Sequence, residues 1–208
     1  MPNPVSTETL IDLLRHGQPV GGRRYRGQID DPLSEKGWAQ MRAAVKYNSD
    51  WDVIYASPLR RCADFARELS GSLALPVEID ARLMEIGFGA WEGKTADELR
   101  SGDPGCVARF WLDPVTHRPE GAEAINDFRL RVEAACRDIL AAHPGKRVLV
   151  VGHAGITRMM ICLALGCPPE HMFRIQVENA GITRLRFRNV GANLLPVLVS
   201  HGQPLAAP

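Results

Sequence analysis

The sequence predicts an α/β protein: a three-layer α/β/α sandwich on a mostly parallel, mixed sheet, with a small insertion above it. Three observations lead there. Short apolar runs alternate with segments of helical period, the pattern of a largely parallel sheet covered on both faces. The most apolar run, KRVLVVG at 146–152, reads as a central strand buried on both sides. Near the end two β-like runs are separated only by NAG, which reads as a hairpin turn.

Residues 10–15 read as the first strand. Residues 34–47 read as a helix, with Ser34 as N-cap and Trp38, Met41 and Val45 on one face. WDVIYAS at 51–57 is the next strand. SPLRRCADFAREL at 57–69 is a helix, with Ser57 as N-cap and Pro58 in its first position. LPVEID at 75–80 is a short strand. Residues 86–122 are rich in Gly and Pro with only short periodic segments, and read as a cap insertion within one domain spanning 1–208. Helical period returns from 122, with Ile125, Phe128, Val132 and Ile139 apolar. Residues 155–166 form a helix closed by Gly166. The runs 173–178 and 182–187 make the expected hairpin, and 193–199 adds an edge strand, where Pro196 is tolerated.

Composition narrows the function. The chain has 208 residues, 45% hydrophobic and 24% charged, enough for a sizeable core. Its net charge of +1 offers no global field for nucleic acid or an anionic membrane, so any anion site must be local. No apolar stretch approaches the ~20 residues that span a bilayer. MPNPVSTETL lacks the basic and apolar segments of a secretion signal. The five cysteines include no C-x-x-C pair, and the six histidines show no metal-ligand spacing. The expectation is a cytoplasmic protein without metal or cofactor. Its oligomeric state is open, with a homodimer through the C-terminal strands as one option.

In open α/β sheets ligands bind beyond the carboxyl ends of strands. Here the first strand ends in Arg15-His16-Gly17, the second runs through Ser57 into Arg60-Arg61, and the central one ends Gly152-His153-Ala154-Gly155. If these ends are neighbours, arginines and imidazoles converge on one spot and require an anion. A phosphoryl group fits, because arginine presents a planar fork to its oxygens. Glycines beside the histidines let backbone N–H groups approach closely, and helix N-termini at 57 and 155 would add positive partial charge. An imidazole among cations stays neutral, and a neutral imidazole nitrogen can attack phosphorus. Glu85, between apolar Met84 and Ile86, is the candidate proton donor to the leaving group.

These motifs, in this order, resemble the signature of the histidine phosphatase superfamily, the phosphoglycerate mutase-like group. They stand here as Arg15-His16-Gly17, Ser57-Pro58-Leu59-Arg60-Arg61, Leu83 to Gly93, and Gly152-His153-Ala154-Gly155. The resemblance covers about residues 10–187. It implies a phosphomonoester hydrolase in which His16 becomes phosphohistidine, Arg15, Arg61 and His153 hold the phosphoryl oxygens, and Glu85 exchanges the proton. Gln18 and Ala154 are further candidates for phosphate contact. Arg61 is preferred to Arg60 as the fifth residue of S-P-L-x-R.

The chain departs from the family pattern where R-H-G is usually followed by a glutamate, a hydroxyl residue and an asparagine; it carries Gln18, Pro19 and Gly22. Arg23, Arg24 and Arg26 are either a solvated loop or the mouth of the anion site. The segments 21–42 and 109–132 resemble those of α-ribazole phosphatases, which implies α-ribazole 5′-phosphate as substrate. Broad-specificity phosphatase, mutase and non-catalytic phospho-ligand module are the alternatives. Phe88 stands where such mutases have a tyrosine, and no arginine pair in the cap suits a second phosphate, so hydrolysis is favoured over mutase activity. Trp91 and Trp111 are expected to pack the cap, and His117, His143, His171 and His201 to lie at the surface or in loops.

Overall fold

The computed structural model describes residues 8–47, 50–191 and 193–203; most of the N-terminal stretch read above for a signal lies outside them. The strands are β1 (Thr9–Arg15), β2 (Val53–Ala56), β3 (Val77–Ile79), β4 (Arg147–Gly152), β5 (Ile182–Val190) and β6 (Asn193–Gln203). They form one mixed sheet in the order β3-β2-β4-β1-β5-β6. The pairs from β3 to β1 are parallel, and β5 and β6 are antiparallel. The helices are α1 (Glu35–Val45), α2 (Arg60–Leu73), α3 (Ala96–Gly102), α4 (Cys106–Leu112), α5 (Ile125–Ala142) and α6 (Ala154–Leu165). Among the described residues no helix is long and apolar enough to cross a membrane.

Because strand side chains alternate between faces, the central strands feed two cores. Leu14, Ile54 and Val151 pack under Met41 of α1 and Phe65 of α2. Leu13, Val53 and Val150 pack on the opposite face against Phe128 of α5 and Met159 of α6. This is the predicted three-layer arrangement. Asp12 interrupts the apolar pattern of β1 and is fully buried. It accepts from Trp51 Nε1 at 2.8 Å and from Arg184 Nε at 2.7 Å, with Arg147 at 3.4 Å, so its charge is paired.

Helix ends follow the local chemistry in two places. Ser34 Oγ accepts the Gly37 N–H to cap α1, and Gly166 closes α6 with a φ of 64°. At α2 the expectation fails. The helix begins at Arg60 with Leu59 as its cap residue, and Ser57 and Pro58 precede it outside the helix, Pro58 in a bend. Ser57 is used elsewhere, as described below.

The C-terminal hairpin is also displaced. Residues 173–178 are not a strand; a 3-10 helix covers Pro169–Arg174 and a loop follows. That loop's carbonyls at 175 and 177 accept from Arg158 and Arg15, so they are not free for a ladder. The hairpin joins β5 to β6, turning at Gly191 with a φ of 62°. Residues 86–122 are less irregular than expected, since they contain α3 and α4.

Candidate active site

The strand order places the carboxyl ends of β2, β4 and β1 side by side. The ladder runs one residue past each outer strand: His16 N–H donates to Gly152 O at 2.9 Å and Ser57 N–H to Val151 O at 3.1 Å. His16 and His153 therefore face each other, ring centroids 5.2 Å apart and planes at 66°. Gly17 is needed here because a Cβ at that position would overlap the Gly37 carbonyl of α1.

His16 is buried and bonds through Nδ1 to Gly17 O at 2.8 Å. A carbonyl only accepts, so Nδ1 carries the proton and Nε2 presents its lone pair. His153 is fully buried, its Nε2 2.7 Å from Ser57 Oγ. The Cys62 sulfur lies 3.6 Å from that same nitrogen, while its thiol donates to Gly152 O. Arg61, 1% exposed, reaches back from α2 to donate to Ile29 O at 2.6 Å and Gly27 O at 2.9 Å. Arg15 donates to Val177 O at 2.6 Å. The Nε atoms of Arg15 and Arg61 are buried without a partner.

Electrostatics follow from this crowding of cations. Burial, then the Arg15 and Arg61 charges, hold the His16 pKa well below 6.5. Burial, then Arg61 and His16, do the same to His153. Burial lowers Arg15 to about 10, partly offset by Glu85. Burial pushes the Cys62 thiol up, so it is a packing group rather than a thiolate. The cradle is thus two neutral imidazoles and two desolvated guanidiniums, with the charge complement of an oxyanion.

Glu85 follows the 3-10 turn Ala81–Leu83 and is buried. Its Oε1 accepts from Ile86 N–H at 3.0 Å and Gly155 N–H at 3.1 Å, and Oε2 from Gly155 N–H at 3.2 Å. The carboxyl group therefore sits at the N-terminus of α6, its oxygens against backbone N–H groups.

The other candidates divide. Ala154 opens α6 beside His153, and its N–H has no acceptor among the described residues. Gln18 spends its backbone on α1, donating to Gln40 Oε1 and accepting from Ser34, and its side chain has no bond to the cradle. Arg26 is buried in its own loop on Asp31, Val20 O and Gly22 O. Arg24 bonds Gly21 O and Gly93 O at the surface, while Arg23 is exposed and its charge is felt at Arg15. Arg60 is exposed and pairs with Asp64. Trp91 packs on Tyr25 and Phe110, and Trp111 donates to Tyr25 Oη at 3.0 Å. Ser57, expected as a helix cap and the head of the S-P-L-x-R motif, is the partner of His153, and Arg158 is a further cation that the motifs do not include. Arg158 sits one turn into α6, its Nε on Ile175 O at 2.8 Å and its guanidinium near Trp111 and Phe173. Sequence offers no signal for it beyond a cation one turn after G-H-A-G.

Fold and site together describe an α/β protein whose strand ends bring two buried imidazoles and two buried guanidiniums together. The chain belongs to the histidine phosphatase superfamily (branch 1), whose description matches residues 11–206. It is 35% identical over 192 residues to a bifunctional protein of Mycobacterium tuberculosis, 90% of this chain but 52% of that one, so it spans about half the length of such relatives. It is 33% identical to a glucosyl-3-phosphoglycerate phosphatase of Mycolicibacterium vanbaalenii, over 76% of this chain and 75% of that protein. The solved α-ribazole phosphatase of Shigella flexneri is similar in fold, with a TM-score of 0.77 at 25% identity over 94% of this chain and 96% of that one. Other proteins similar to this chain bear phosphatase and mutase names.

Proposed function

We propose that this protein hydrolyses small phosphate monoesters through a phosphohistidine at His16, without a metal. The observation that carries this reading is the state of His16: Nδ1–H tied to Gly17 O, Nε2 free, and Arg15, Arg61 and His153 around it. Nε2 attacks phosphorus while the ester P–O bond breaks, and Glu85 gives its proton to the departing oxygen. Water then attacks the phosphohistidine and Glu85 takes back a proton. The P–N bond breaks, leaving inorganic phosphate and neutral His16. Arg15, Arg61 and His153 stabilise the charge spread over the equatorial oxygens. The Ala154 N–H, at the start of α6, is placed to join them.

Two observations bear on the substrate. The segments 21–42 and 109–132, with the likeness in fold to a solved α-ribazole phosphatase, support α-ribazole 5′-phosphate. Arg158, close enough to Glu85 for their charges to interact, suits a leaving group with its own anion, as in the phosphoglycerate ester that names one relative. A turnover panel run with chelator, containing α-ribazole phosphate, phosphoglycerates, phosphoserine, sugar phosphates and p-nitrophenyl phosphate, decides between them. Release of inorganic phosphate from at least one ester, abolished by His16→Ala, is the expected result. Substantial activity left in His16→Ala removes the nucleophile, and return of an isomer in place of phosphate makes the protein a mutase.

A further inference from the structure

The segment that carries Glu85 belongs to no strand or α-helix, yet the acid must be placed to a fraction of an ångström. One side chain accounts for its position. Arg131, on α5, has five N–H donors, and all five are engaged around this segment. Its Nη1 donates to Arg82 O at 2.6 Å and Met84 O at 2.7 Å. Its Nη2 donates to Glu85 O at 3.1 Å and Glu123 Oε2 at 2.8 Å, and its Nε to Glu123 Oε1 at 2.7 Å. Glu123 completes the frame. Its Oε2 accepts the Gly87 N–H at 3.2 Å, and its own N–H donates to Gly87 O at 3.0 Å. The guanidinium is seated over the Phe128 ring, 4.6 Å from its centroid.

The carbonyls of Arg82, Met84 and Glu85 are thus bonded to a single fork and Gly87 to the Glu123 it pairs with, while the carboxyl group is held independently by α6. Gly87 and Glu123 also mark the entry and exit of the 86–122 segment, so the same frame ties the neck of the cap to the acid. We infer that Arg131 and Glu123 are positioning residues for Glu85: they touch no reacting atom and set where the proton donor stands. This rests on the reading of Glu85 as the leaving-group acid.

The test compares an alkyl phosphate, which needs a proton on its leaving oxygen, with p-nitrophenyl phosphate, which does not. In Arg131→Met the ratio of kcat/KM for alkyl over aryl ester, which reads only the step that expels the leaving group and not the shared hydrolysis of the phosphohistidine, is expected to fall on the order of tenfold or more. Arg131→Lys should recover little of it, because an ammonium has three donors and no planar fork. Glu123→Gln should shift the ratio in the same direction by less. An equal loss on both esters, or full rescue by lysine, overturns the inference and leaves Arg131 a general stabiliser. If Arg131→Met does not fold, Arg131→Lys and Glu123→Gln carry the same comparison. Glu85→Gln serves as the reference: if it leaves the ratio unmoved, the acid assignment itself has failed, and the inference falls with it.

Discussion

Alanine at Gly155 tests how tightly the acid is held. Gly155 lies in the first turn of α6 and gives its N–H to both Glu85 oxygens, at 3.1 and 3.2 Å. A Cβ there would overlap Glu85 Oε1, with Ile86 Cγ2 only 3.3 Å away. The added carbon belongs to a helix backbone, so the carboxylate must yield. Restoring ordinary contact of ~3.5 Å means a retreat of about 1 Å. A misplacement of ~1 Å at a catalytic group commonly costs on the order of 10²-fold in rate. Stability should hardly change: helix propensity gains up to about 1 kcal/mol, and loss of the hydrogen bond removes about as much. Gly155→Ala should therefore lose roughly a hundredfold in kcat/KM on an alkyl phosphate, keep most of its kcat/KM on p-nitrophenyl phosphate, and melt within a few degrees of the wild type. Steady-state kinetics on both esters with a thermal melt is the assay. Undiminished alkyl turnover in a folded variant would show that the carboxylate's seat on α6 has no part in its function.

Two further outcomes follow from buried charge. His16 and His153 are held well below 6.5 in the fold, whereas in the unfolded chain they titrate near ~6.5. The unfolded state therefore binds more protons below that pH, and their contribution, full above it, is lost as pH falls toward the folded values. Melting temperature should drop between about pH 7 and pH 5, and His16→Asn should flatten that drop; identical pH profiles for the two proteins would refute it. Asp12→Ala should cost roughly 3–5 kcal/mol in urea unfolding, because it leaves Arg184 and Trp51 Nε1 without their buried partner, and a loss under about 1 kcal/mol would contradict that pairing.

Part of this protein was legible before folding. Alternating apolar runs and helical period determine the layers and the largely parallel sheet, because burial of apolar side chains at period 2 or 3.6 is a local property. Polar residues abutting glycines at strand ends likewise pointed to Arg15, His16 and His153 as chemistry. The same reading includes Arg60 and Arg61 and offers Glu85 as a proton donor between apolar neighbours, and the motif resemblance selects Arg61 over Arg60. The tertiary structure alone decided the rest. Strand order made the ends of β2, β4 and β1 neighbours, and no residue pattern encodes which strands pair. Ser57 reads as a cap by local preference, but the bond to His153, 96 positions away, claims it and the helix starts three residues later. The run 173–178 has strand character, yet its carbonyls go to Arg15 and Arg158 instead of a ladder. Arg131 looks like any cation on an amphipathic helix until the chain folds around its five donors. Each of these turns on a buried polar group finding a partner distant in sequence, an energy that exists only once water has been excluded.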